Sequence, residues 1–142
     1  MLIDFFVLTY SDPSDPHLKD PNYSTPDQQT TECHRCKAVV SASSHHCTTC
    51  QRCVDNFDHH CVFLNNCIGG QNYSIFGRFL ISMIVHMTLG IAIGFAMFFN
   101  MEDLPKWLSL VYVILNFIVL IEVGILAMFH CYLSFCLYKT TL

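Results

Sequence analysis

The stretch CHRCKAVVSASSHHCTTCQRCVDNFDHHCVFLNNC, residues 33–67, decides how this chain folds. It holds Cys33, Cys36, Cys47, Cys50, Cys53, Cys61 and Cys67, interleaved with His34, His45, His46, His59 and His60. The spacing reads C-x2-C, nine residues, H-C-x2-C-x2-C, four residues, D-H-H-C, five residues, C. A C-x2-C step sets two thiolates at the bite that a tetrahedral zinc ion accepts. So short a segment has too few apolar residues to fold on burial alone, and bound metal supplies the missing stability. Two zinc ions need eight ligands, so seven cysteines are one too few for two all-cysteine sites. Two Cys3His sites use six cysteines and two histidines and leave one cysteine over. Counting does not say which one. Position points to Cys61, which alone follows an Asp-His-His run. A histidine beside a thiol can take its proton, and an aspartate beside the histidine can fix its tautomer.

Around this stretch the composition divides. Of 142 residues 53% are hydrophobic, yet residues 9–67 are polar and residues 75–138 are almost continuously apolar. The pattern predicts an integral membrane α-helical hairpin of two full spans, carrying a small cytosolic zinc-bound cysteine-rich module. Residues 1–10 are too short to cross a bilayer, which needs about 20 apolar residues, and read as the remnant of a span. Residues 11–32 hold four of the five prolines and read as a polar linker, with SDPSDP as successive turn signals. The module covers 33–74, the first span 75–99, a lumenal turn 100–106, the second span 107–138 and a cytosolic end 139–142. At ~1.5 Å per residue the second apolar run reaches ~46 Å, longer than the ~30 Å hydrocarbon core. No internal repeat is evident beyond the spaced C-x2-C units.

Redox logic picks the side of the membrane. An odd number of cysteines in an oxidising lumen leaves a loose thiol, whereas the cytosol keeps thiols reduced for metal or catalysis. Arg52, Arg78 and Lys139 flank the same side, while the turn holds Lys106 against Glu102 and Asp103. The Asn-Tyr-Ser sequons at Asn22 and Asn72 should then carry no glycan. A formal net charge of −4 argues against nucleic acid as a partner, since that demands a basic face. The opening LIDFFVL is too short for a secretory signal. Within the spans, Gly90 and Gly94 permit close helix approach. Glu122 should be protonated or paired with Asn116 or His86, because a mid-membrane charge costs roughly 2.5–3.5 kcal/mol.

Cys33–Gly69 resembles the DHHC cysteine-rich domain of the protein S-acyltransferases, the palmitoyltransferases. The resemblance rests on DHHC at 58–61, NNCIG at 65–69 and every Cys and His step from 33 to 67. It extends to Asn72 and Phe76, to SDP at 11–13, similar to the family's DPG motif, and to Lys139-Thr140-Thr141, similar to the start of its TTxE motif. It implies one zinc on Cys33, Cys36, His46 and Cys53, and another on Cys47, Cys50, His60 and Cys67. Both are structural. It makes Cys61 the acyl carrier, polarised by His59 and Asp58. His86 then lines the acyl cavity or makes an interhelical hydrogen bond. The implied reaction is ping-pong. Acyl-CoA, most often palmitoyl-CoA, acylates Cys61, which passes the chain to cysteines of membrane-associated proteins at the Golgi or endoplasmic reticulum. There are departures. Val62-Phe63 stand where the family usually has Pro-Trp, and KAVVSASS at 37–44 replaces a basic-Pro turn. The family has at least four spans, so the alternative is a catalytically weak or inactive zinc-stabilised membrane adaptor. A RING-like or LIM-like finger does not need a spare cysteine beside Asp-His.

Overall fold

The structure is a computed structural model that describes residues 1–20, 22–23, 29–102 and 105–140, with the backbone alone for 133–140. Parts of the stretch read as a linker and of the turn at 100–106 therefore lie outside the described residues, as do the side chains of the end read over 139–142. The chain divides into two compact units, Met1–Phe76 and Gly77–Leu142.

The first unit is three hairpins and an N-terminal arm. Strands β1 (Thr30–Cys33) and β2 (Ala38–Ser41), β3 (His45–Cys47) and β4 (Arg52–Val54), and β5 (His59–Cys61) and β6 (Asn66–Ile68) pair antiparallel, each pair forming its own two-stranded sheet. Each hairpin turns through four residues, and the last of these, Lys37, Gln51 or Asn65, is left-handed with φ of 51°, 54° and 47°. The apolar core is thin. Val54 is packed with Cys47 and Cys67, and Cys50 and Phe57 lie against them. Gly69 follows β6 where a Cβ would come within 2.5 Å of Val54 Cγ1, so only glycine lets the two hairpins meet there.

The arm is not a free linker. Helix α1 (Leu2–Tyr10) ends where Ser11 turns extended and Asp12-Pro13 follows, since the residue before proline is held out of the α region. One helical turn, α2 (Pro16–Lys19), starts on Asp15 as N-cap with Pro16 in the first position. Asp15 is fully buried. Its Oδ1 accepts from the His17 backbone N–H at 2.8 Å and its Oδ2 from the Ser41 N–H at 2.9 Å, with the Ser44 hydroxyl also donating. Its own N–H donates to the Cys53 carbonyl at 2.9 Å. Burial alone would raise the Asp15 carboxyl; these donors overcome it and bring the group down to about 2. The stretch read as a linker thus pins the first two hairpins together, and β1 begins inside it, at Thr30 rather than Cys33.

Helix α3 (Tyr73–Asn100) begins in the first unit and continues through the second, where α4 (Lys106–Thr140) follows it. Tyr73–Asn100 and Lys106–Tyr132 are each long and apolar enough to cross a membrane. Gly90 and Gly94 let the helices close. A Cβ on Gly90 would lie 2.5 Å from Asn116 Oδ1, and one on Gly94 2.5 Å from Val113 Cγ2. Across the turn, Lys106 Nζ donates to the Phe98 and Met101 carbonyls at the end of α3. The Asn116 amide donates back to the Tyr112 carbonyl at 2.8 Å. His86 and Glu122 lie on exposed surfaces of their helices.

Asp15 and Asp12 stand three residues apart and should respond very differently. Asp15→Ala removes several charge-assisted hydrogen bonds worth ~1.5–3 kcal/mol each and should cost the module about 3 kcal/mol or more. Asp12, half exposed beside Arg52, should cost no more than ~1 kcal/mol as alanine. Denaturant midpoints of the two variants check the contrast. Asn72 is 2% exposed and its amide bonds Gly69 N–H and the Cys67 carbonyl. Its sequon should therefore stay unmodified on either side of a membrane, as mass spectrometry of protein made in a glycosylating host will show.

Candidate functional site

The three hairpins work in series. Each of the first two gives the cysteines of its turn to one cluster, and the strands of the next hairpin complete it. Cys33 and Cys36 flank the β1–β2 turn, while His46 on β3 faces Cys53 across on β4. These four donor atoms lie within 4.8 Å of one another, as do those of Cys47, Cys50, His60 and Cys67, in which His60 faces Cys67 across β5–β6.

In the first cluster His46 Nδ1 is 3.2 Å from Cys36 Sγ and 3.9 Å from the sulfurs of Cys33 and Cys53. In the second His60 Nδ1 is 3.3 Å from Cys50 Sγ, 3.8 Å from Cys47 and 3.7 Å from Cys67. The Cys36 and Cys53 sulfurs lie 3.5 Å apart and those of Cys50 and Cys67 3.4 Å apart. A tetrahedral zinc with bonds of ~2.3 Å to sulfur and ~2.0–2.1 Å to nitrogen spaces its ligands ~3.6–3.8 Å apart. The donor sets and their spacing fit zinc. Burial, and after it the thiols of Cys33 and Cys36, push the Cys53 thiol far above its ordinary value; burial with Cys50 and Cys47 does the same to Cys67.

Cys61 belongs to neither cluster. On β5 successive side chains point to opposite faces. His59 and Cys61 therefore share one face, and His60 between them turns to the other, where the second cluster lies. His59 Nδ1 is 2.5 Å from Asp58 Oδ2. Its ring also hydrogen-bonds the Cys61 thiol, and this bond, followed by Asp58, raises its basicity against the effect of burial. Burial alone would raise the Cys61 thiol. The bond to His59 and the backbone N–H groups of Leu64 and Phe63 outweigh it, so the thiol is lowered. The Phe76 ring stands edge-on to His59, with centroids 5.5 Å apart at 67°. Beyond Cys61, Val62 and Phe63 are 81% and 95% exposed.

Two residues without a role in the motif reading hold this geometry. Asn66 is 2% exposed. Its Nδ2 donates to the carbonyls of Leu8 at 2.7 Å and Ser11 at 2.8 Å, and its Oδ1 accepts from Cys67 N–H at 2.9 Å and from Arg52 at 2.7 Å. It thereby joins the end of α1 to the hairpin that carries Cys61. Asp15 does the same for the first two hairpins. Asn66 falls within the NNCIG run, which marks it without giving its role, and the signal for Asp15 is its buried setting, which sequence does not display. His86 is exposed along α3.

The sequence model of the DHHC palmitoyltransferase family matches residues 27–142. The chain belongs to this family. No curated protein matches it closely enough to count as a relative. The DHHC signature falls on Asp58–Cys61, the part of β5 and its leading residue just described. The palmitoyltransferase family is membrane-bound, in keeping with the two long apolar helices.

The opposite orientation of neighbouring histidines yields a direct expectation. His60→Ala should lose about one zinc equivalent and destabilise the module, because a structural site contributes folding energy outright. His59→Ala should keep both equivalents. Elemental analysis of the purified variants, with zinc per chain as the readout, tests the split.

Proposed function

We propose that this chain is a protein S-acyltransferase that moves a fatty acyl group, most often palmitoyl, from acyl-CoA to cysteines of membrane-associated proteins through an acyl-Cys61 intermediate. The observation that carries the reading is the Asp58–His59–Cys61 constellation beside two four-donor clusters that leave Cys61 out.

Each residue has a task. His59 takes the proton of Cys61, and Asp58 holds the ring and favours its charged form. The Cys61 thiolate attacks the thioester carbonyl carbon, and the carbon–sulfur bond to CoA breaks as the new one to Cys61 forms. The proton on His59 passes to the departing CoA thiolate. In the second half His59 takes the proton of an incoming protein cysteine, whose thiolate attacks the acyl-Cys61 carbonyl and releases Cys61. A base in this position contributes typically ~10²–10⁴-fold. Cys33, Cys36, His46 and Cys53 would hold one zinc, and Cys47, Cys50, His60 and Cys67 the other. The metal supplies structural cross-links that keep the hairpins in register. The exposed Val62-Phe63 tip next to Cys61 gives an apolar approach for a fatty chain.

A reducing compartment suits seven free thiols in the first unit, which supports the module facing the cytosol, on Golgi or endoplasmic reticulum membranes. Acyl-CoA would then meet Cys61 at the membrane surface.

Cys61→Ser should abolish hydroxylamine-sensitive acylation of the purified protein by labelled palmitoyl-CoA while two zinc equivalents remain. Acylation that persists at another cysteine would remove Cys61 from the mechanism. Wild-type protein that takes up no label while fully zinc-loaded would instead favour the adaptor.

A further inference from the structure

The three hairpins are one structure used three times. In each, a strand ends on a cysteine that pairs with the residue five positions on: Cys33 with Ala38, Cys47 with Arg52, Cys61 with Asn66. The left-handed residues Lys37, Gln51 and Asn65 precede those partners and recur every fourteen residues. The residue before each cysteine, with the one facing it across the hairpin, is Glu32 and Val39, then His46 and Cys53, then His60 and Cys67. The repeat, which the sequence hid beyond its C-x2-C units, is therefore a fourteen-residue metal knuckle.

Registering the hairpins aligns Cys61 with the cluster ligands Cys33 and Cys47. The second knuckle thiol, Cys36 or Cys50, falls at Leu64, which is 2% exposed. In the first two knuckles the N–H of that second cysteine points at the first sulfur, Cys36 N to Cys33 Sγ at 3.5 Å and Cys50 N to Cys47 Sγ at 3.4 Å. In the third, the backbone N–H groups of Leu64 and Phe63 at the same turn lower the Cys61 thiol. Each complete cluster also borrows a His–Cys pair from the following hairpin. After β6 the chain enters α3 instead, with Ser74 and Ile81 at the matching positions.

We propose that the β5–β6 hairpin is a third metal knuckle from which Leu64 excludes the metal, leaving Cys61 at a ligand position with the ligand's backbone donors but no ion. The turn that presents a thiolate to zinc elsewhere here presents it to substrate. Leu64 is thus a positioning residue that keeps the nucleophile unmetallated. That Cys61 is the nucleophile rests on the proposed function; the knuckle itself does not.

Leu64→Cys in the full chain tests this. The two knuckle thiols and the His59 ring make three donors, enough for a zinc site completed by water. The variant should bind a third equivalent of zinc. With cobalt(II) in its place, the extra equivalent should add thiolate-to-cobalt absorption. Alkylation of Cys61 by iodoacetamide should slow at least tenfold and recover on mild chelation. Adding Cys61→Ser should return the count to two. Leu64→Ser, which opens a similar cavity without a thiol, should hold two equivalents. A Leu64→Cys protein with two equivalents and Cys61 as reactive as in Leu64→Ser would overturn the proposal. Exposed Asn65 gives a second route should buried changes at Leu64 prevent folding. Asn65→Gly, which suits a positive φ, should keep the Cys61 alkylation rate. Asn65→Val, β-branched and strained there, should lower it severalfold with two zinc ions still bound. An unchanged rate in Asn65→Val would likewise sink the idea. Acyl transfer that persists with Cys61 held in the third zinc site would count against the proposed function and leave the knuckle standing.

Discussion

Three buried or half-buried thiols beside an imidazole, their donor atoms within 4.8 Å of one another, can all become thiolates only around a cation. That constraint governs the first unit. Among the described residues its buried hydrophobic side chains are Leu8, Val40, Val54, Leu64, Ile68 and Phe76 beside three cysteines, a small set to hold three two-stranded sheets against the entropy of ordering them. Two four-donor clusters, each stitched from two successive hairpins, supply the cross-links. Because the second hairpin contributes to both clusters, the first and third are fixed through it.

Polar side chains then fasten the rest to this frame. Asp15, buried and ionised, satisfies N–H groups on two elements at once. Asn66 closes the end of α1 and takes Arg52 on its other face. Such groups are costly to bury without partners. Here they specify one arrangement of arm and hairpins, which in turn sets where β5 places Asp58, His59 and Cys61. The pleat of β5 makes one histidine a cluster ligand and its neighbour a partner of the free thiol.

Seen through the repeat, the reactive thiol is a metal-ligand position put to another use. Backbone N–H groups at a knuckle favour a thiolate whether or not an ion is present, since hydrogen bonds to the charged form stabilise it. Replacing the second cysteine by leucine and ending the series in α3 leaves the donors and removes the ion.

Much of this was legible in the residues. The C-x2-C spacings, the count of seven cysteines against eight ligands and the Asp-His-His run before Cys61 determined that two four-donor sets fit for zinc form and that one thiol stands apart. The unbroken apolar runs determined two helices long enough to cross a bilayer, because backbone groups in hydrocarbon must be satisfied within the segment. Tertiary structure decided the rest. SDPSDP reads as turns in a linker, yet its second aspartate is fully buried, since burial depends on what folds against a residue. His86 lies on an exposed face of α3, which its place midway along an apolar run does not reveal. Leu64 carries no motif signal, and Asn65 opens the NNCIG run without showing why; the meaning of both appears only when three hairpins are superimposed by register. His59 and His60 are the same residue type at adjacent positions. Spacing alone treats them alike, and only the two-residue period of a strand, anchored by its partner β6, sends them to opposite faces.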